Sequence, residues 1–408
     1  MTTNEKKIIF LTSYCHFLSH FYMIIFPSLV VPLMKYFKMP LPDVLSLGFL
    51  MYLFFGLGAL PMGVLTDLWN GRSMLILYLF GLGISSLLAG MAKEPMSLMI
   101  GLTFIGLFAS IYHPAGIGLI SKTCKRRGFA LGINGIFGNI GLSLAPIFTG
   151  IITYQYGWRA IYIALGVLVL ISSIFFYFKN IDETPVQLFE YSQHTNRRMI
   201  AFSILCVCMM LAGFCYRGTS VVIPAYFEES VPFFNNIIHK LTFIRLSGTK
   251  TLSATVLTSL VYFPGIFGMM TGGRVADKID LRAGYFLFHI ISLPFLVLMT
   301  QFTNIPLFFL TIGYLFFALG MQPIENSLVA QLTPDKLRST SYGLKFIFTF
   351  GIGSLSVYAA KYIIKHYNFV YVFWLHSVVV IFLILFILLL SLLSKNFNLM
   401  NSNVKLPT

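Results

Sequence analysis

The stretch Gly63-Val64-Leu65-Thr66-Asp67-Leu68-Trp69-Asn70-Gly71-Arg72 closes one long apolar run, and Gly273-Arg274-Val275-Ala276-Asp277-Lys278-Ile279-Asp280-Leu281-Arg282 closes another 210 residues later. Each has a glycine, an aspartate four residues on and an arginine nine residues on. A second landmark repeats at an offset of 209: His113-Pro114 and Gln322-Pro323, followed by Arg126 and Arg127 in one case and by Lys336 and Arg338 in the other. Two landmarks agreeing to one residue mark an internal duplication, and the character of the sequence between them says what is duplicated.

That sequence is oily. Of 408 residues 57% are hydrophobic and 10% are charged, whereas a soluble domain carries roughly 25% charged residues to face water. Crossing the hydrocarbon core takes about 20 apolar residues in a helix. Twelve runs qualify: 8–34, 44–66, 73–92, 96–120, 129–155, 159–178, 199–227, 251–273, 283–302, 304–330, 339–364 and 368–394. Six runs per half put the second half into the membrane from the same side as the first, a parallel repeat with its axis along the membrane normal. The polar segment 179–198, with Lys179, Asp182, Glu183, Glu190, Arg197 and Arg198, is expected to link a bundle at 1–178 to one at 199–408. Segment 228–250 carries Phe233, Phe234, Ile237, Ile238, Leu241 and Ile244 on one helical stripe; a short surface helix and a plain loop both fit.

The net charge of +15 invites a nucleic-acid reading, but the cations lie in short turns between apolar runs, where they set topology. With the N-terminus inside, inner segments hold seventeen Lys and Arg and outer loops nine. Both termini are therefore expected in the cytoplasm, in what we expect to be a bacterial inner membrane. The five cysteines have no metal-like spacing and read as buried small hydrophobes. No phosphate-binding GxxxxGK[ST] stretch is present, so direct ATP hydrolysis is not expected. No cofactor is implied. No zinc-like Cys/His cluster is visible either: His16 and His20 could share an ion, but two ligands are too few without neighbours.

The segment from Gly63 to Arg72 resembles the signature loop of the major facilitator superfamily, and the chain is similar to that family's six-plus-six plan throughout. The resemblance implies an all-α membrane protein of twelve transmembrane helices in two pseudo-symmetric six-helix bundles, working by alternating access. Leu68 stands where the family usually has a basic residue, and Asn70 can still take the left-handed turn that a glycine would take. A carboxylate at a helix end can pair with arginine and face the positive N-terminus of a neighbouring helix. On the resemblance, Asp67, Arg72, Asp277 and Arg282 are expected to latch one side of the transporter; the alternative is that they only set topology.

Polar groups inside spans are costly and usually mark a pathway. The deep ones are His16 and His20 in run one, His113 in run four, Asn134 and Asn139 in run five, Arg217 in run seven, Gln322, Glu325 and Asn326 in run ten, and Lys345 in run eleven. Runs one, four, seven and ten line the central cavity in the resembled family. Aligning the prolines sets His20 opposite Arg217 and His113 opposite Gln322. Two fixed cations stand against one carboxylate. Glu325 can neutralise either Arg217 or Lys345, and the remaining charge favours an anionic or zwitterionic substrate. The expected substrate-binding set is Arg217, Lys345, His20, His113, Gln322 and Asn326, with Glu325 or His16 carrying a coupling proton; the structural alternative is that Glu325 only ties runs together. Run five, with Gly141, Ala145, Pro146 and Gly150, resembles the antiporter signature of drug-exporting facilitators, and Pro146 is expected to serve a gate. The His16/His20 helix and Tyr112-His113-Pro114-Ala115 are also similar to a branch that includes fosmidomycin-resistance exporters. A monomeric, proton-coupled exporter of a small anionic or zwitterionic molecule is the first expectation, and an importer of an organic acid or siderophore-like metal chelate the alternative. An enzyme or a nucleic-acid partner is not expected.

Overall fold

A computed structural model describes residues 1–125, 127–184, 196–234, 249–333 and 338–395. Among these residues the regular structure is helical. The spans are α1 (Thr3–Phe37), α2 (Leu41–Leu57 continued by Ala59–Leu68), α3 (Gly71–Gly90), α4 (Pro95–Thr123), α5 (Phe129–Tyr156), α6 (Trp158–Tyr177), α7 (Arg197–Ser230), α8 (Lys250–Lys278), α9 (Leu281–Met299), α10 (Asn304–Leu332), α11 (Ser341–His366) and α12 (Phe369–Leu393). Eleven are long and apolar enough to cross a membrane as single helices, and α2 is a pair bent by 41° that makes the twelfth. Residues 235–248, most of the segment 228–250 where a surface helix was one expectation, lie outside the described residues, as does 185–195 of the expected linker.

Local sequence sets the ends. Thr2 Oγ1 accepts from Glu5 N at 3.1 Å while Glu5 Oε2 accepts from Thr2 N at 2.7 Å, a reciprocal cap that starts α1. Asn70 does not use the left-handed turn open to it. Its backbone is extended (φ −178°), and its Oδ1 accepts from Ser73 N at 2.7 Å, capping α3. Asparagine suits both conformations, and here the unpaired N–H groups of the helix start decide. Glycine does supply the positive φ before α6, at Gly157 (φ 82°).

The regular ladder breaks beside the buried polar residues. α4 passes through a π-helical turn at His113–Ile117, around Pro114, and α11 through another at Ile347–Gly351. α10 is interrupted at Met321, just before Gln322-Pro323. Proline removes a backbone donor, and π turns are common at functional positions.

Helices of the first six spans meet those of the last six where α1 packs on α7 and along two further seams. On one, α2 faces α11: Asp43 pairs with Lys361 at 2.9 Å, the rings of Phe49 and Tyr358 lie 4.3 Å apart, and Gly56 lies against the backbone of Gly351. On the other, α5 faces α8: Ile147 N donates to Ser259 Oγ at 2.8 Å, and Asn139 Nδ2 donates to Met269 Sδ. Ile171, Ile174, Leu385 and Leu392 are exposed on outward faces, as lipid contact requires.

A side chain at Gly56 has nowhere to go, because its Cβ would lie 2.0 Å from Gly351 N. Gly56→Ala is expected to cost about 1–3 kcal/mol of stability by overpacking this seam. Gly132→Ala, where a Cβ would meet nothing within 4 Å, should cost nothing, since alanine is the better helix former. Thermal unfolding of the detergent-purified variants checks the contrast, and equal loss at both positions would show that the α2–α11 approach is loose.

Candidate functional site

Two buried polar clusters lie inside the bundle. The first joins α9, α10 and α11. Lys345 Nζ lies 2.7 Å from Glu325 Oε1 and donates to Asn326 Oδ1 at 2.5 Å, while Tyr285 OH donates to Glu325 Oε2 at 2.8 Å. Glu325 is 1% and Lys345 5% exposed. Each carboxylate oxygen therefore has its own partner, as a buried charge demands. Of the two cations that Glu325 could neutralise, the structure assigns it Lys345. Asn326 orients the ammonium, and Gln322 lies at the α10 break, just ahead of Pro323.

The second cluster spans both sets of helices. Arg217 of α7 is 1% exposed, and no carboxylate pairs with it among the described residues. Its guanidinium carbon lies 3.9 Å from the ring centre of Tyr52, on α2, and 5.6 Å from that of Phe350, on α11; its Nε has no hydrogen-bond partner. A desolvated cation–π contact offsets about 2 kcal/mol, less than the several kcal/mol needed to strip water from an ion. It is a buried cation without a carboxylate partner among the described residues.

Beside it, three imidazoles converge. The ring centres of His16 and His20 are 4.8 Å apart, with His113 at 5.4 Å from the first and 5.6 Å from the second. His16 Nδ1 is hydrogen-bonded to Asn134 O at 2.8 Å, and Tyr112 stacks on His16 while donating to Asn134 Oδ1 at 2.8 Å. His113 stacks on Phe346 at 4.3 Å, and neither of its ring nitrogens has a partner although the residue is buried. Phe350 adjoins both His113 and Arg217. The expectation that His16 and His20 lack a neighbouring third ligand is thus corrected: α4 brings His113 to them, and their nitrogens lie within 4.8 Å of one another. The missing signal was tertiary, since the His16/His20 spacing shows one helix face and cannot show what crosses it.

The latch residues separate. Asp67 pairs with Lys122 at 2.9 Å, not with Arg72, and both partners are about half exposed. Arg72 instead donates to the carbonyls that end α6, reaching Lys179 O at 2.8 Å and also Tyr177 O. Glu183, not an aspartate of the motif, accepts from Gly71 N at 2.9 Å and Arg72 N at 2.6 Å, placing a carboxylate on the positive start of α3. The second copy follows the first: Arg282 pairs with Asp280 at 2.5 Å and donates to Ser394 O at the end of α12. Burial raises the Asp280 carboxyl, but its hydrogen bonds and attraction to Arg282 outweigh that and hold it below the usual range. Asp277 is exposed and makes no ion pair among the described residues. The repeated arginine therefore binds the carbonyl end of the last helix of each six, a pairing invisible from the motif alone. Pro146 lies inside α5, and the next N–H, of Ile147, crosses to α8. Sequence reasoning passed over Tyr52, Tyr285 and the ring pair Phe346/Phe350 because aromatic residues are common in spans.

The model of the Major Facilitator Superfamily matches residues 12–233 and again 205–399. The riboflavin transporter of Clostridioides difficile (strain 630) is 23% identical over 337 residues, 70% of this chain and 72% of that protein. The puromycin resistance protein of Streptomyces alboniger is 30% identical over 100 residues, 24% of this chain and 20% of that one. Among solved structures, a bacterial homologue of the human lysosomal transporter Spinster, inward-facing and unoccupied, superposes with a TM-score of 0.74 at 12% identity, covering 97% of this chain and 98% of that one.

The buried pair Glu325–Lys345 makes a direct prediction. Glu325→Gln or Lys345→Met alone strands a charge and is expected to cost about 3–5 kcal/mol, whereas the double variant should lose far less than the sum. A thermal-unfolding cycle on the purified protein measures the coupling; additive losses would mean that the two charges do not interact.

Proposed function

The chain belongs to the Major Facilitator Superfamily, and from that premise we propose that it is a proton-coupled exporter of a small anionic or zwitterionic organic molecule. That it is a membrane transporter, with no enzymatic role, follows from the family. The substrate charge is the part proposed, and the observation that carries it is Arg217: buried, resting on Tyr52, with Glu325 already engaged by Lys345. An anionic group on the substrate supplies the missing counter-charge. The location also fits, because Arg217 on α7 faces Tyr52 on α2, so a bound anion touches both sets of six helices. Alternating access requires a ligand whose affinity depends on how the two sets are arranged.

Glu325 is the proposed proton carrier. Its two partners, Lys345 and Tyr285, come from two other helices, α11 and α9. Protonation cancels the charge that holds Lys345, and Lys345 is followed by Phe346, whose ring lies on His113. A change at Glu325 thus has a two-residue route to the substrate cluster. Export is supported by the α5 stretch around Pro146 and by its hydrogen bond to α8, the seam that must part and re-form during transport. With both termini proposed as cytoplasmic, the repeated arginine clamps then lie on the cytoplasmic side.

Inside-out membrane vesicles with an acid lumen test this, using a panel of dicarboxylates, sugar acids and amino acids as probes. The expected result is pH-driven accumulation of a carboxylate-bearing probe. Arg217→Gln should raise its KM at least about tenfold, equivalent to about 1.4 kcal/mol of lost binding. Glu325→Gln should lose pH-driven accumulation while still exchanging substrate at equal pH. Undiminished pH-driven transport by Glu325→Gln would remove Glu325 from the coupling scheme, and preference for cationic probes would overturn the charge assignment.

A further inference from the structure

We propose that His16, His20 and His113 form a transition-metal site, and that the transported anion travels as its complex with a divalent metal ion. The inference rests on the anionic-substrate reading above and specifies what the anion carries.

Three observations support the site. One nitrogen from each imidazole lies within 4.8 Å of the others. Metal–imidazole bonds are about 2.0–2.1 Å, so two such nitrogens on one ion sit roughly 3.3 Å apart, and binding needs only side-chain rotations of order 1 Å. Second, both ring nitrogens of His113 are buried and unpartnered. A buried polar atom without a partner costs about 1–3 kcal/mol, and an ion that coordinates it removes that cost. Third, His16 is oriented from behind. Its Nδ1 is held by Asn134 O, leaving Nε2 as the donor, and Asn134 is itself fixed by Tyr112. That is how metal-binding histidines are commonly set in one tautomer. The ring also has a fitted seat on α5, because a Cβ at Gly138 would lie 2.6 Å from His16 Nε2.

The donor set selects the ion. Three imidazoles suit Zn²⁺, Ni²⁺, Co²⁺ or Cu²⁺, whereas Mg²⁺ and Ca²⁺ require oxygen ligands. Charge then selects the form in which the ion binds. The group contains no carboxylate, and Glu325 is occupied. A bare divalent cation would add its charge beside Arg217, with which His113 shares contact to Phe350. A metal held by carboxylate oxygens of an organic acid resolves both problems: imidazoles complete the metal's coordination, and free carboxylate oxygen meets the guanidinium. No bond other than coordination forms or breaks.

Co²⁺ titration of the purified protein, read by its visible ligand-field bands, tests the site, with citrate as the carboxylate probe. The expected result is one Co²⁺ per chain, lost in His20→Gln and in His113→Ala and weakened at least tenfold in Gly138→Ala, which keeps all three imidazoles but crowds His16. His289→Ala, altering a buried histidine outside the group, should leave the titration unchanged. Citrate should tighten Co²⁺ binding in the wild type and not in Arg217→Gln. A titration that is the same in wild type, His20→Gln and Gly138→Ala would overturn the site. Citrate binding that needs Arg217 but ignores Co²⁺ would overturn the metal inference while leaving the anion reading intact. Histidine-dependent Co²⁺ binding that citrate never enhances, in wild type or Arg217→Gln, would overturn the complex and the anion reading beneath it.

Discussion

A guanidinium enclosed by apolar helices, with no carboxylate beside it among the described residues, is the constraint around which this molecule is arranged. Removing the charge of Arg217 from water costs several kcal/mol, and the face of Tyr52, 3.9 Å away, offsets about 2 kcal/mol of that. A protein retains such an arrangement where another body completes it, which is the reason for reading the centre of the bundle as a binding site. The contrast with Lys345 is instructive. Equally buried, it has an ion pair and a hydrogen bond, and its carboxylate is further fixed by Tyr285. One cation is internally satisfied and one is not, so they are assigned different work.

The two clusters are joined through consecutive residues of α11. Lys345 faces Glu325, and Phe346 lies on His113, just before a π-helical turn that ends at the Gly351 contact with Gly56. Ion pair, aromatic stack and the closest approach of the α2–α11 seam thus lie within seven residues, Lys345 to Gly351. On the proposed mechanism a proton at Glu325 changes the first, the substrate bears on the second, and the third can only be made or broken as a unit, because backbone against backbone leaves no intermediate spacing. Tight packing of this kind makes an interface bistable.

Much of this was legible in the sequence, for reasons that can be stated. Hydrocarbon thickness sets a length that twelve apolar runs meet, and the duplication shows as a fixed offset between Asp67 and Asp277. Arg217, Glu325 and Lys345 stood out because charge inside a span is rare. Contacts between distant helices were not legible. Which cation Glu325 takes, that His113 joins His16 and His20, and that Asp67 turns to Lys122 while Glu183 takes the start of α3 depend on lateral helix packing, which has no local sequence signature. Asn70 shows a subtler limit, since its side chain suits both a left-handed turn and a helix cap, and the choice lies in the unpaired N–H groups of α3.

Ligand-dependent thermal stabilisation of the purified protein tests the central claim most directly, because any solute bound selectively by the folded state raises its melting temperature. Screened with matched sets of anionic, neutral and cationic organic solutes, the wild type should be stabilised by an anionic member in a concentration-dependent way, and Arg217→Gln by none of them. Stabilisation by a neutral or cationic solute that survives in Arg217→Gln would contradict the account.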